Sequence, residues 1–278
     1  MTKNFEEKIL QRAILIREFE KIAFIKSQEK KIKFPIYLGF GQEYIASSLS
    51  TYILDKKKIS KPHIFIQHRG HAAYLAFGGS IEKLVKELLG RKDGCSFGMG
   101  GSASIQSLEK NIYGHDGLMG SNGPISVGAC FANNKPTICF LGDAAAEEDY
   151  CLAAYGWAST KKLPILFVIE DNNLSILTEK KVRRNWEIHD VAKSMGIEAF
   201  NTDDDPSKIF SCLKNVFKKP MLLNINTNRY FWHAGAGIDN TNLKTFHDQF
   251  TKKFSNDLIL NYEKKYSKKI MNLWKLYE

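Results

Sequence analysis

Two short apolar runs, Thr137 to Leu141 and Ile165 to Ile169, flank an Ala-rich stretch from Tyr150 to Lys161. The runs lack polar alternation, the pattern of strands buried on both faces of a parallel sheet. The stretch between them predicts a helix, and Pro164 restarts the chain in extended form. Such a strand-helix-strand unit crosses over so that both strands run parallel, with their carboxyl ends on one edge. Ile64 to Gln67 and Met221 to Thr227 predict two further strands, and Ser80 caps a predicted helix, IEKLVKELL, that Gly90 ends. Residues from about 4 to 28 predict an amphipathic helix, because Glu6, Glu7, Arg12, Arg17 and Glu18 fall within the apolar periodicity. In a tail over about 243–278, from Leu243 onward, Phe246, Phe250, Phe254 and Leu258 recur four apart and predict a helix whose apolar face packs on the core or a neighbouring subunit. The fold class is therefore α/β, a mostly parallel sheet flanked by helices on both faces.

Composition alters this picture little. With 278 residues, 44% of them hydrophobic, and 20 glycines the chain can bury a full core. No repeat, low-complexity segment or long linker divides it, so one domain over 1–278 is expected. The net charge of +10 suits an acidic partner or nucleic acid. The lysines, however, are interleaved with Ile, Asn and Phe along the whole chain, which favours a solvated surface over a nucleic-acid face. Cys95, Cys130, Cys139, Cys151 and Cys212 are scattered and odd in number, with no zinc-type spacing, which fits a reducing cytoplasm. No apolar stretch reaches the roughly 20 residues that span a membrane.

Ligands of open α/β sheets sit beyond the carboxyl ends of the strands. Gly142-Asp143 follows the first apolar run and Asn172-Asn173 follows the second, so the intervening helix brings both to one edge. A carboxylate and an amide oxygen are hard ligands that suit magnesium, which takes only a few protein oxygens beside those of a phosphate. A helix beginning near Glu147 would aim its partly positive end there, although Glu147, Glu148 and Asp149 crowd that end with negative charge. Alone, Gly-Asp is as well read as a capped turn and Asn-Asn as a loop pair.

The segment GDAAAEEDYCLAAYGWASTKKLPILFVIEDNN resembles the thiamine-diphosphate motif, which opens with Gly-Asp-Gly and closes about thirty residues later with Asn-Asn. Four more segments carry a narrower resemblance: LGFGQE at 38–43, HRGHAAYLAFG at 68–78, LLGRKDGCSFGMGGSASI at 88–105 and NRYFWHAGAG at 228–237. Between Gly39 and Gly237 the chain looks like the alpha subunit of the first component of 2-oxo acid dehydrogenases, the pyruvate, branched-chain and acetoin members included. That resemblance implies the diphosphate-binding (PP-type) thiamine enzyme fold, with thiamine diphosphate and magnesium as cofactors. It implies Asp143, Asn173 and the backbone carbonyl of Ser175 as metal ligands. Arg69 and Arg229 would bind the diphosphate, His68, Gly142, Ala144 and Ala145 would also be cofactor-binding, and Gly120, Ser121 and Asn122 would lie against the aminopyrimidine ring. His233 and His71 would be the catalytic histidines of the pocket.

The resemblance also implies a missing half. The glutamate that activates the cofactor belongs in this family to a pyrimidine-binding domain on a beta chain, so an alpha2-beta2 assembly is expected, with a lipoyl acyltransferase as possible acceptor. Glu43 of GQE matches a glutamate outside that activating role. Two departures stand out: Ala144 replaces the motif glycine, and Glu147-Glu148 replaces the usual Asn-Gln. Ala234 stands where many mitochondrial members carry a phosphorylated serine. Competing readings are the N-terminal half of a split transketolase, a related thiamine enzyme recruited to sugar or secondary metabolism, and a non-catalytic scaffold or basic nucleic-acid-binding protein that kept the fold.

Overall fold

A computed structural model describes residues 1–239 and 246–278. The chain opens with α1 (Lys3–Gln28) and α2 (Glu43–Ser50), followed by a π-helical turn at Thr51–Lys56. The elements β1 (His63–Phe65), α3 (His71–Ala76), α4 (Ile81–Leu88), β2 (Ile112–Tyr113) and α5 (Asn122–Asn133) come next. The predicted unit is β3 (Thr137–Gly142), α6 (Asp149–Thr160) and β4 (Ile165–Asp171). A hairpin of β5 (Leu174–Ser175) and β6 (Thr178–Glu179) runs into α7 (Lys180–Arg183) and α8 (Ile188–Ser194). Then follow β7 (Glu198–Asp203), α9 (Pro206–Cys212), β8 (Met221–Asn226), α10 (Phe246–Phe250) and α11 (Asn256–Tyr277).

Six strands form one parallel sheet in the order β2-β1-β3-β4-β8-β7. Side-chain alternation splits the core in two. Ile138, Phe140, Leu166 and Val168 face one layer with α1, α2, α3 and α4, whereas Cys139, Leu141, Ile165, Phe167 and Ile169 face the other with α5, α6 and α8. Helices on both faces explain why neither β3 nor β4 shows polar alternation.

Local signals act as the sequence suggests. Ser80 Oγ accepts from Lys83 N at 3.2 Å at the start of α4, and Gly90 takes a φ of +71° beyond its end. The tail differs from the single helix expected. Leu243 lies outside the described residues, and the spacing of four holds only through a short helix and a 3-10 turn, Thr251–Lys253. Phe254 is extended, and Ser255 caps a new helix by accepting from Leu258 N at 3.4 Å. A capping serine thus interrupts the apolar repeat, and the restarted α11 buries Ile270 and Trp274 as it packs along α1 and α4.

Charges on α1 fasten it to its neighbours. Lys8 and Arg12 each reach Asp55 at 2.6 Å, and Arg17 reaches the fully buried Glu43 at 2.5 Å. Burial would raise the Asp55 carboxyl, but the bonds from Lys8 and Arg12 outweigh it and hold its pKa below the ordinary 3.8. A lowered folded-state value contributes stability that is present above the unfolded value and lost as pH falls through the folded one. Asp55→Asn should therefore cost about 1 kcal/mol at neutral pH, with the difference from wild type closing below pH ~4. Urea titrations at pH 7 and pH 3 measure this, and an equal gap at both would contradict it.

Candidate functional site

Parallel pairing sets Gly142 beside Glu170 in register, so β3 and β4 release the chain at the same edge. A cavity of about 190 Å³ opens there. Gly142, Asp143, Ala144 and Ala145 form one wall, and Glu170, Asn172, Leu174 and Ser175 form the next. Gln67, His68 and Arg69 enter from the exit of β1, and Arg229 and His233 from the exit of β8. Four strand ends thus converge on one opening, as expected for an open parallel sheet.

Its cationic side holds two buried guanidiniums. Arg69 donates through Nη1 to Leu38 O at 2.7 Å and through Nη2 to His233 O at 3.1 Å. Burial first, and then the charge of Arg229, depresses its pKa to about 10. Arg229 pairs with Asp239 through Nε at 2.7 Å, yet its buried Nη1 finds no acceptor among the described residues. Two desolvated like charges with donors to spare are a site that an anion would relieve. His68 is driven well down by burial, then by Arg69 and His233, and its buried Nε2 has no partner among the described residues. His233 is lowered by burial, Arg69 and Arg229, so both imidazoles are neutral at physiological pH. Tyr37 sets its ring edge-on against both, at 5.0 Å and 5.7 Å.

Opposite lies the anionic side. Burial raises Asp143, an effect that Arg183 opposes and Asp171 reinforces. Glu170 is pushed up to about 7 by burial against the pull of Gln67, whose Nε2 donates at 2.6 Å. Asp171 is held down: Lys180 at 2.7 Å and Asn224 at 3.0 Å outweigh its burial. Among the described residues no three His, Cys, Asp or Glu side chains are grouped to hold a metal. A cation at Asp143 would therefore draw on amide, backbone and ligand oxygens, as magnesium does.

Of the residues singled out from sequence, His68, Arg69, Gly142, Asp143, Ala144, Ala145, Ser175, Arg229 and His233 share this wall. Asn173 does not. It is exposed at a φ of +66°, and Asn172 takes the wall position. The reason is local: β4 runs on to Asp171, whose Oδ1 accepts from Asn173 N at 3.0 Å, while Asn172 Oδ1 accepts from Leu174 N at 3.1 Å. These bonds turn the chain tightly and leave Asn173 exposed.

His71 is also off the wall. It is fully buried, with Nδ1 3.2 Å from Glu20 and Nε2 2.9 Å from Ser102 Oγ, which accepts from Tyr37 N at 2.9 Å. It braces the segment carrying Tyr37 and reaches the cavity only through it. Gly120, Ser121 and Asn122 lie at the start of α5: Ser121 bonds Asp116 at 2.6 Å, and Asn122 donates to Ile66 O at 2.8 Å. A Cβ on Gly120 would meet Ala145 O at 2.8 Å, so glycine is required where α5 closes on the Asp143 loop. Glu43, bound by Arg17 and by Gly41 N at 2.6 Å, lies outside the cavity. Gln67, Met119, Glu170, Leu174 and Ile176 line the cavity without having been singled out. The one available signal was Glu170-Asp171, two acids ending an otherwise apolar strand.

The family described as the dehydrogenase E1 component matches residues 11–269. The pyruvate dehydrogenase E1 component subunit alpha of Rickettsia prowazekii is 32% identical over 236 residues, 80% of this chain and 70% of that protein. Its counterpart from Rickettsia typhi is 32% identical over 71% of this chain and 63% of its own length. The mitochondrial alpha subunit of Dictyostelium discoideum is 29% identical over 74% of this chain and 56% of its own. The chain belongs to the dehydrogenase E1 family. Its relatives are alpha subunits, and the E1 assignment makes it a thiamine-dependent, dehydrogenase-type enzyme component.

The paired guanidiniums of this E1 chain should bind inorganic pyrophosphate. Removing one charged donor costs about 10- to 100-fold in affinity, so Arg229→Met should weaken pyrophosphate binding to that degree in calorimetric titration of the full chain. Equal affinity would show that the anion binds elsewhere.

Proposed function

We propose that this chain holds magnesium and the diphosphate of thiamine diphosphate for a 2-oxo acid dehydrogenase-type E1 enzyme, in partnership with a beta-type subunit. One observation carries the reading: a buried guanidinium pair, a carboxylate and an amide line one cavity at the strand ends. A metal-diphosphate unit carries both signs of charge in one ligand, so it answers both walls at once. Arg229 Nη1 and His68 Nε2, without a partner among the described residues, support the fit. Ala144 adds only a methyl group beside the phosphates and keeps its backbone N–H.

On this reading Arg69 and Arg229 take the diphosphate, and Asp143 with the Asn172 side chain takes the metal. The third protein ligand of the motif, a backbone carbonyl two residues beyond the asparagine, moves with that register to Leu174. When bound, the cofactor supplies a carbon nucleophile and an electron sink for breaking the bond beside a 2-oxo group. This chain's contribution is to orient and desolvate. His233, neutral beside two fixed positive charges, offers a hydrogen bond or takes up a proton at its imidazole, and the two neighbouring charges favour release of that proton again. Pyruvate is the substrate named for the relatives, and a 2-oxo acid is the class proposed here, with a lipoyl acyltransferase as acceptor. The activating carboxylic acid is assigned to the beta-type subunit, a division supported by the relatives' description as alpha subunits and by exposed Met119 and Ile176 at the cavity mouth.

Calorimetric titration with magnesium and thiamine diphosphate, with a beta-type subunit supplied, tests the ligand set. Asp143→Ala should abolish metal-dependent cofactor binding, and Asn172→Ala should weaken it by about 10-fold or more, whereas Asn173→Ala should leave it within about twofold. Loss on replacing Asn173 with retention on replacing Asn172 would reverse that register, and full binding by Asp143→Ala would sink the assignment.

A further inference from the structure

The two residues that depart from the motif after Ala145 and Ala146 are not equivalent. Glu148 is exposed on the cavity wall, but Glu147 is drawn inward into a network with the segment that follows the β5–β6 hairpin. Arg183 donates from each of its three nitrogens to a different acceptor: Nε to Glu147 Oε1 at 2.8 Å, Nη1 to Thr178 O at 2.8 Å and Nη2 to Asp143 Oδ2 at 2.6 Å. The other oxygen of Glu147 faces Nε of Arg184 at 3.2 Å, a buried guanidinium resting 4.7 Å over the ring of Trp186. Glu147 is thus hydrogen-bonded by Arg183 and lies within ion-pair distance of Arg184, and Arg183 extends the link to Asp143.

Asp143 lines the cavity, and Arg183 is not among the lining residues. The bridge therefore commits one oxygen of Asp143 to a partner off the cavity wall and leaves the other oxygen for a ligand. A carboxylate held this way has its rotation fixed before a cation arrives. A free-standing Asp143 would lack that orientation.

We infer that Arg183, anchored by Glu147, is a positioning residue for the divalent metal: it fixes the Asp143 carboxylate as a ligand, and Glu147 stands in place of the motif's amide in order to hold Arg183. This rests on the metal role proposed for Asp143. The opposite role for the same contact is a guanidinium that occupies the cation's place and competes with it, and the two differ in sign.

The test is a calorimetric magnesium titration of the full chain with a beta-type subunit at saturating thiamine diphosphate. Arg183→Gln should weaken magnesium binding about 10- to 100-fold, the usual effect of removing an outer partner of a metal ligand. Arg183→Lys should recover part of the loss, keeping the charge but not the three-way fork. Glu147→Ala should also weaken binding, and the double variant should be no weaker than Arg183→Gln alone, because both changes break one bridge. The melting temperature of the metal-free chain should not follow the same order across the four variants, as it would for a merely structural role. Magnesium affinity in Arg183→Gln equal to or tighter than wild type would overturn the inference while leaving Asp143-dependent binding in wild type intact. Binding that survives Asp143→Ala overturns both.

Discussion

The constraint on which the rest depends is the register between β3 and β4. Because the strands are parallel and Gly142 pairs with Glu170, two chain exits emerge side by side. Each exit brings acids with it, Asp143 and Glu147 from one and Glu170 and Asp171 from the other, into a region mostly closed to water. Such a cluster is tolerable only if each charge is answered. Lys180 answers Asp171, Arg183 and Arg184 answer Glu147, Arg183 also answers Asp143, and Gln67 bonds Glu170. Across the cavity Arg69 and Arg229 form the opposite excess, partly relieved by Asp239 and backbone carbonyls. The remaining imbalance is what gives the cavity its chemistry.

Much of this was legible in the sequence because the signals were local or strictly periodic. Apolar runs gave β3 and β4 to within a residue or two, and the serine cap and glycine stop located α4. The family resemblance brought the two arginines and His233 to the strand ends that the periodicity had placed. Which asparagine lines the cavity was less accessible. Asp171-Asn172-Asn173 offers three polar side chains in succession, and the length of β4 together with the left-handed turn at Asn173 leaves Asn172 at the cavity and Asn173 exposed. The sequence also could not show that His71 would be enclosed by Glu20 and Ser102, because those partners lie 51 and 31 residues away.

The tail shows the same limit from the other side. A repeat of four is read as one helix until a serine with cap geometry divides it, and whether it does depends on the α1 and α4 surfaces that α11 must cover. The basic composition likewise divides on folding: many lysines remain outside, while Arg69 and Arg229 are buried and Arg183 half-buried, each matched to a carboxylate or a carbonyl. Net charge was a poor guide to function here because the charges that act are the few desolvated ones.

The central claim is that a metal-diphosphate unit fits between these two walls. A crystal structure of the chain with a beta-type subunit, grown with thiamine diphosphate and manganese in place of magnesium, locates the metal directly from its anomalous signal. The account predicts a peak in contact with Asp143 and Asn172, with the diphosphate toward Arg69 and Arg229. A cofactor whose diphosphate lies away from both arginines, or a metal peak remote from Asp143, would contradict it.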